Sequence, residues 1–147
     1  MATAALAQST LPAQEVDLSV KAPKRAPNLC INFHSRCEYN REHQSWEFVE
    51  QESFLKFDLE LPSCQDIRLT VNECSSALFD LPDNPYTISV NDYTLVRHFD
   101  DHMCDFHDVQ FLIPWQWLHP GHNAILIQVD RYAHSRLMLK AVGVAGL

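Results

Sequence analysis

Apolar and polar residues alternate with a period of two along most of this chain. In Ser53–Leu61, Leu55, Phe57, Leu59 and Leu61 fall on one side, and Lys56, Asp58 and Glu60 on the other. That is the pattern of a strand with one buried and one wet face. Asp66–Val71 repeats it with Ile67, Leu69 and Val71. The pairs and triplets Ile88/Val90, Val109/Phe111/Ile113, Ile125/Ile127/Val129 and Leu137/Leu139 continue it, with Val142 following. Turn formers lie between these runs. Asn91-Asp92 separates Thr87–Val90 from Tyr93–Arg97, and Asn and Asp best tolerate positive φ after glycine, so a tight hairpin is predicted. His119-Pro-Gly-His-Asn123 joins the fixed φ of Pro120 to the freedom of Gly121. Nearer the N-terminus, Val16, Leu18 and Val20 read as a short strand, and Leu29–His34 as another. Ser35–Glu50 contains neither Pro nor Gly. It fits a helix with Tyr39, His43 and Trp46 on one side, or strand ends around a loop.

Seven to nine strands, few helices and no internal repeat predict an all-β fold: an antiparallel β-sandwich of jelly-roll type, with a closed barrel as the alternative. The 147 residues suffice for one domain with its own core. Residues 1–15, small and polar, are expected to form a flexible tail, and 16–147 a single sandwich. With three glycines against eight prolines, Pro, Asn and Asp must do most of the turning.

Charge narrows the partners. Nineteen acidic and eleven basic residues give −8, and no basic stripe offers a footprint for nucleic acid or an anionic membrane. A sugar or a neutral or cationic small molecule suits this surface better. Five cysteines, an odd number without a close C-x-x-C pair, make a poor disulfide framework and read as buried free thiols in a reducing compartment. No signal peptide and no apolar run of eighteen residues is present, so a cytoplasmic location is expected. No phosphate loop, nucleophile elbow or dinucleotide fingerprint appears, and no cofactor is expected.

From Ser53 onward the order of features resembles the galactose-binding-like β-sandwich family, which includes many carbohydrate-binding modules. The resemblance rests on Phe54-Leu-Lys-Phe-Asp-Leu, Ile67-Arg-Leu-Thr-Val, Ile88-Ser-Val-Asn-Asp, Phe106-His-Asp-Val, Leu118-His-Pro-Gly-His-Asn-Ala-Ile-Leu-Ile-Gln-Val and Leu137-Met-Leu-Lys-Ala-Val-Gly-Val. It implies ligand binding by loops at one end of a sandwich. Many relatives hold a structural calcium, but no calcium loop matches here residue by residue, and no metal ligands are assigned.

Three groups carry candidate chemistry. His98, Asp100, Asp101, His102, Asp105, His107 and Asp108 crowd into eleven residues. An H-x-x-x-H spacing needs a helix to hold a metal, so acid–base work by His98 or His102 with Asp100 or Asp105 is the sharper expectation. A solvated acidic loop explains the same residues. Trp115 and Trp117 share a side if their segment is extended, and with Trp46 they are candidates to stack on a sugar or hydrophobic ligand; capping of the core is the plainer use. Arg131 is a candidate carboxylate clamp, and Tyr132 and His134 are candidate proton donors, on a loop where polar residues are ordinary.

The expectation that follows is a protein binding a small molecule or carbohydrate through end loops and aromatic residues. The alternatives are a cofactor-independent isomerase, cyclase or dehydratase using His98, Asp100, His102, Asp105 or His134, and a protein-interaction or structural subunit. A homodimer is compatible with each.

Overall fold

The residues that alternate in the sequence are those that face inward in the fold. Leu55, Phe57 and Leu59, with Ile125, Ile127 and Val129, belong to one continuous buried core together with Ile67, Leu69, Val71, Ile88, Val90 and Leu137. The structure, a computed structural model, describes residues 10–76, 85–99, 105–131 and 136–147. Among the described residues no helix is long and apolar enough to cross a membrane.

The strands are β1 (Gln14–Asp17), β2 (Leu29–Ser35), β3 (Cys37–Asn40), β4 (Ser45–Phe48), β5 (Phe54–Leu61), β6 (Ile67–Ser76), β7 (Pro85–Val90), β8 (Tyr93–Phe99), β9 (His107–Ile113), β10 (Gly121–Val129) and β11 (Arg136–Gly146). They form an antiparallel β-sandwich. One sheet runs β3-β4-β11-β6-β9, with β1 also paired to β11. The other runs β2-β5-β10-β7-β8. The predicted jelly-roll sandwich is therefore the observed architecture, and the closed barrel is not.

Strand directions sort the connections into two ends. The C-terminal ends of β5, β7 and β9 lie at one, here called the turn end; those of β2, β4, β6, β8 and β10 lie at the other, the loop end. The hairpin between β7 and β8 is tight, as its residues predict, with Asn91 at φ 47° and Asp92 at φ 68°. Gly121, at φ 87°, occupies the left-handed region that its missing Cβ makes accessible.

Three local features follow. Ser35–Glu50 is a β3–β4 hairpin rather than a helix, with Tyr39 opposite Trp46 in register. Arg36 and Gln44 take positive φ at its two bends, which a continuous helix forbids. The first strand stops at Asp17, because the Asp17 carboxylate accepts hydrogen bonds from the Ser19 N–H and O–H and turns the chain; Val20 is exposed. Within the stretch expected to form the tail, residues 10–15 are described and Leu11 is tied to the fold. Leu11 is buried, its N–H donates to Gln65 Oε1 and its carbonyl accepts from Gly146 N–H.

Candidate functional site

Period two also decides what faces away from the core. On β5 the outward residues are Phe54, Lys56 and Asp58, and on β10 they are His122, Ala124, Leu126 and Gln128. Of these, Phe54, Lys56, Ala124, Leu126 and Gln128 line a groove of about 280 Å³ on the outer face of the second sheet, with Ser89 and the Asn91-Asp92 turn completing it. Strand register places Phe33, Lys56, Leu126 and Ser89 in one row across β2, β5, β10 and β7. Phe33 is exposed, and its ring lies 5.8 Å from that of Phe54. The groove thus has an apolar floor of Phe54, Ala124 and Leu126, flanked by an ammonium, two amides, a hydroxyl and the Asp92 carboxylate, all carried on paired strands or their tight turn. Side chains so held recognise a ligand at little ordering cost.

Beside the groove a polar cluster is fixed on the same face. His122 Nε2 lies 2.7 Å from Asp58 Oδ1, and Asn32 Nδ2 donates to both Asp58 oxygens at 2.9 and 3.0 Å. Burial alone raises Asp58, but the hydrogen bonds from Asn32 and His122 and the charges of His122 and Lys56 outweigh it, holding the carboxyl below its usual range.

A second cluster lies between the sheets toward the loop end. Glu73, on the inward phase of β6, has no solvent exposure. Its Oε1 accepts the Tyr86 O–H at 2.7 Å and lies 3.0 Å from His98 Nε2. The His98 ring meets the rings of Tyr86 and Phe111 edge-on, at 5.2 and 5.5 Å. Among the described residues, the carboxylate beside His98 is that of Glu73. Asp105 is exposed, and its carbonyl lies 2.9 Å from His107 Nδ1. Asp100, His102, Tyr132 and His134 lie outside the described residues. Among the described residues no group of three or more His, Cys, Asp or Glu is placed to hold a metal.

The tryptophans do not form one platform. Trp117 N–H donates to Pro114 O and Leu118 N–H to Trp115 O, closing a single 3₁₀ turn over Trp115–Trp117. At about 120° per residue the two rings diverge, so the shared side expected of an extended segment is lost. Trp115 is exposed, while Trp117 packs on the core and stacks on Tyr93 at 5.4 Å, 16° from parallel. Trp46 is buried, its indole N–H donating to Val20 O at 3.0 Å. Arg131 is exposed and borders a shallow depression with Glu52, Thr87, Gln128 and Asp130.

Neither the groove nor Glu73 is among the residues singled out by sequence, though both left a signal. Phe54 and Leu126 are apolar residues out of phase with the inward set, whereas Phe33 is in phase with Leu29 and Ile31 and is turned outward by the bulge between Ile31 and Phe33. Glu73 is the reverse of Phe54 and Leu126, a charge in phase with Ile67, Leu69 and Val71.

No protein-family model and no curated protein sequence matches the chain. Solved structures do. A family 35 carbohydrate binding module from an environmental isolate superposes with a TM-score of 0.59 at 14% identity, over 90% of this chain and 93% of that one. The CBM36-1 domain of a multidomain xylanase from the hindgut metagenome of Trinervitermes trinervoides gives 0.59 at 9% identity, over 92% and 98%. A family two carbohydrate esterase from Cellvibrio japonicus gives 0.56 at 13%, over 92% of this chain; the chain spans only 34% of that enzyme's length. What they share with this chain is the fold, the galactose-binding-like β-sandwich.

Proposed function

We propose, from the sandwich shared with carbohydrate-binding modules, that this chain binds carbohydrate in the groove on the outer face of its second sheet. The observation that carries the reading is the lining of that groove: an apolar floor of Phe54, Ala124 and Leu126 between Lys56, Gln128, Ser89 and the Asn91-Asp92 turn. A sugar ring has an apolar face and a rim of hydroxyls. The floor meets the first, and the ammonium, amides and hydroxyl meet the second. At about 280 Å³ the groove lies near the lower limit of small-ligand sites, roughly 300–1,000 Å³, and suits a short stretch of sugar rather than a large cofactor. Tyr93 continues the chain from Asp92 and stacks on Trp117, so aromatic surface extends from the groove toward the turn end, where Trp115 is exposed. Cys30, Cys37 and Cys64 are free thiols, which suits a reducing, cytoplasmic setting.

Calorimetric titration against a panel of neutral oligosaccharides tests this. Binding by the native protein, weakened roughly tenfold (about 1.4 kcal/mol) in Lys56→Ala and Gln128→Ala, is the expected result. Both side chains face outward, so the fold tolerates their loss. No binding across the panel, or binding that ignores both substitutions, would overturn it.

One observation favours a second reading, cofactor-independent acid–base catalysis: the Glu73–His98 pair, 3.0 Å apart beside Tyr86. A carboxylate on one imidazole nitrogen fixes the tautomer that a general base needs. It stands second because Glu73 is fully buried and rings surround the imidazole. Turnover of a carbonyl-containing substrate panel, abolished in His98→Gln, would bring it first; inactivity toward the whole panel would remove it.

A further inference from the structure

An open depression elsewhere on the molecule is larger than the groove. A space of about 490 Å³ is bordered by Lys21 and by the β3–β4 hairpin, through Cys37, Glu38, Tyr39, Arg41 and Trp46. We infer that it is a second ligand site, taking a small ring compound that bears a carboxylate. Its volume falls well inside the range for small-molecule sites, roughly 300–1,000 Å³.

The walls are pre-set. Tyr39 and Trp46 are register partners across the hairpin. Their polar atoms are committed elsewhere: the Tyr39 O–H donates to Ser19 O at 2.7 Å, and the Trp46 N–H to Val20 O at 3.0 Å. These two bonds strap the segment leading to Lys21 onto the hairpin, which keeps the cavity's two sides at a fixed separation. With its donor used, the half-buried Tyr39 ring offers carbon surface that a ligand ring meets by stacking or edge contact, and the buried Trp46 backs it. Burial pushes the Cys37 thiol up to about 12, so this wall is a neutral S–H and supplies neither a metal ligand nor a nucleophile at physiological pH.

Charge selects the rest of the ligand. Lys21 and Arg41 are exposed at the cavity, against one lining carboxylate, Glu38. Glu47, the register partner of Glu38 on β4, is buried. A local excess of cations is unusual on a chain of −8. Along the chain, residues 21–41 carry Lys21, Lys24, Arg25, Arg36 and Arg41, five of the eleven basic residues, against the single acid Glu38. Of these, Arg36 is already paired with Glu50 at 3.5 Å. The planar fork of an arginine grips a carboxylate with two parallel hydrogen bonds, and a lysine adds a point charge. An aromatic acid and a sugar acid present the same recognising chemistry, a ring bearing a carboxylate.

Isothermal titration with benzoate, with glucuronate, with glucose and with inorganic phosphate tests the site. Benzoate, glucuronate or both should bind, and whichever does identifies the kind of ring. Lys21→Ala and Arg41→Ala should each weaken that binding roughly tenfold with an unchanged melting curve, and added salt should weaken it further. Lys56→Ala, in the groove, should leave this titration unaltered, so the two sites stand or fall separately. Failure of both acids to bind at about 10 mM, indifference to the Lys21 and Arg41 substitutions, or phosphate binding as tightly as the ring acids would overturn the inference.

Discussion

His98 Nε2 stands 3.0 Å from Glu73 Oε1, joining β8 of one sheet to β6 of the other through the interior of the sandwich. Glu73 has no exposure to water, so what its carboxylate has lost in hydration must be returned by its neighbours. The Tyr86 O–H, at 2.7 Å, is one of them. Tyr86→Phe deletes that donor with almost no change of volume, and the expected cost is about 1–3 kcal/mol. Urea unfolding measures it. A loss below about 0.5 kcal/mol would mean that water reaches Glu73 and that the cluster is not an interior one.

The core itself is tested more simply. Leu59 and Ile127 are fully buried members of the inward set on the paired strands β5 and β10, opposite Asn123 and Leu55 respectively. Leu59→Ala and Ile127→Ala should each cost about 2–5 kcal/mol, the lost transfer energy plus that of the cavity left behind. Chemical denaturation of the two variants checks this, and values typical of surface sites, within about 0.5 kcal/mol of zero, would reject the assignment.

Asn123 organises the turn end. Its Oδ1 accepts from His119 N–H and Asn91 Nδ2, both at 2.8 Å, while its Nδ2 donates to His119 O at 2.9 Å and Gly121 O at 3.1 Å. Asn91 Nδ2 donates in turn to Trp117 O at 2.8 Å. One buried amide therefore holds the turn before β10 and, through Asn91, the 3₁₀ turn that carries Trp117. Asn123→Ala should destabilise the fold by about 1–3 kcal/mol through the backbone groups it leaves unpaired. It should also raise the quenching of tryptophan fluorescence by acrylamide as the Tyr93–Trp117 stack loosens. Unchanged stability and quenching would show that the turn holds without it.

How much of this is legible in the sequence depends on range. The inward phase of β5, β6, β10 and β11 needs only neighbouring residues, because side chains on a strand alternate whatever the strand pairs with. The Asn91-Asp92 hairpin is local in the same sense. Ser35–Glu50 is ambiguous because three- and four-residue spacing of Tyr39, His43 and Trp46 fits a helix, and what decides is distant: the carbonyls of Ser19 and Val20, which receive the two ring donors. The partnership of Glu73 with His98 is also non-local, since it requires knowing that β6 and β8 belong to facing sheets. Period two marks Phe54, Lys56 and Leu126 as outward but says nothing of concavity, which arises only once β5, β10 and β7 lie side by side. A charge in the apolar phase and an apolar residue in the polar phase are the marks such sites leave.

The last prediction concerns pH. Asp58 titrates below its usual range in the folded chain, because hydrogen bonds from Asn32 and His122 and the nearby positive charges outweigh its partial burial. A carboxyl with a depressed folded pKa stabilises the fold above its unfolded value, about 3.9, and that contribution is lost as pH falls through the folded value. The loss belongs to the acid side, below about pH 4, and not to the neutral range. His122→Ala removes a hydrogen bond at 2.7 Å and a cation together, so Asp58 should titrate closer to its ordinary value while Asn32 still holds it in place. The variant's stability should accordingly fall less steeply with acid than that of the native protein. Carbon-detected NMR of the Asp58 carboxyl, run from pH 2 to 6 on both proteins, reads the shift directly. Coincident titration curves would show that His122 does not act on Asp58 and that the cluster beside the groove is held by Asn32 alone.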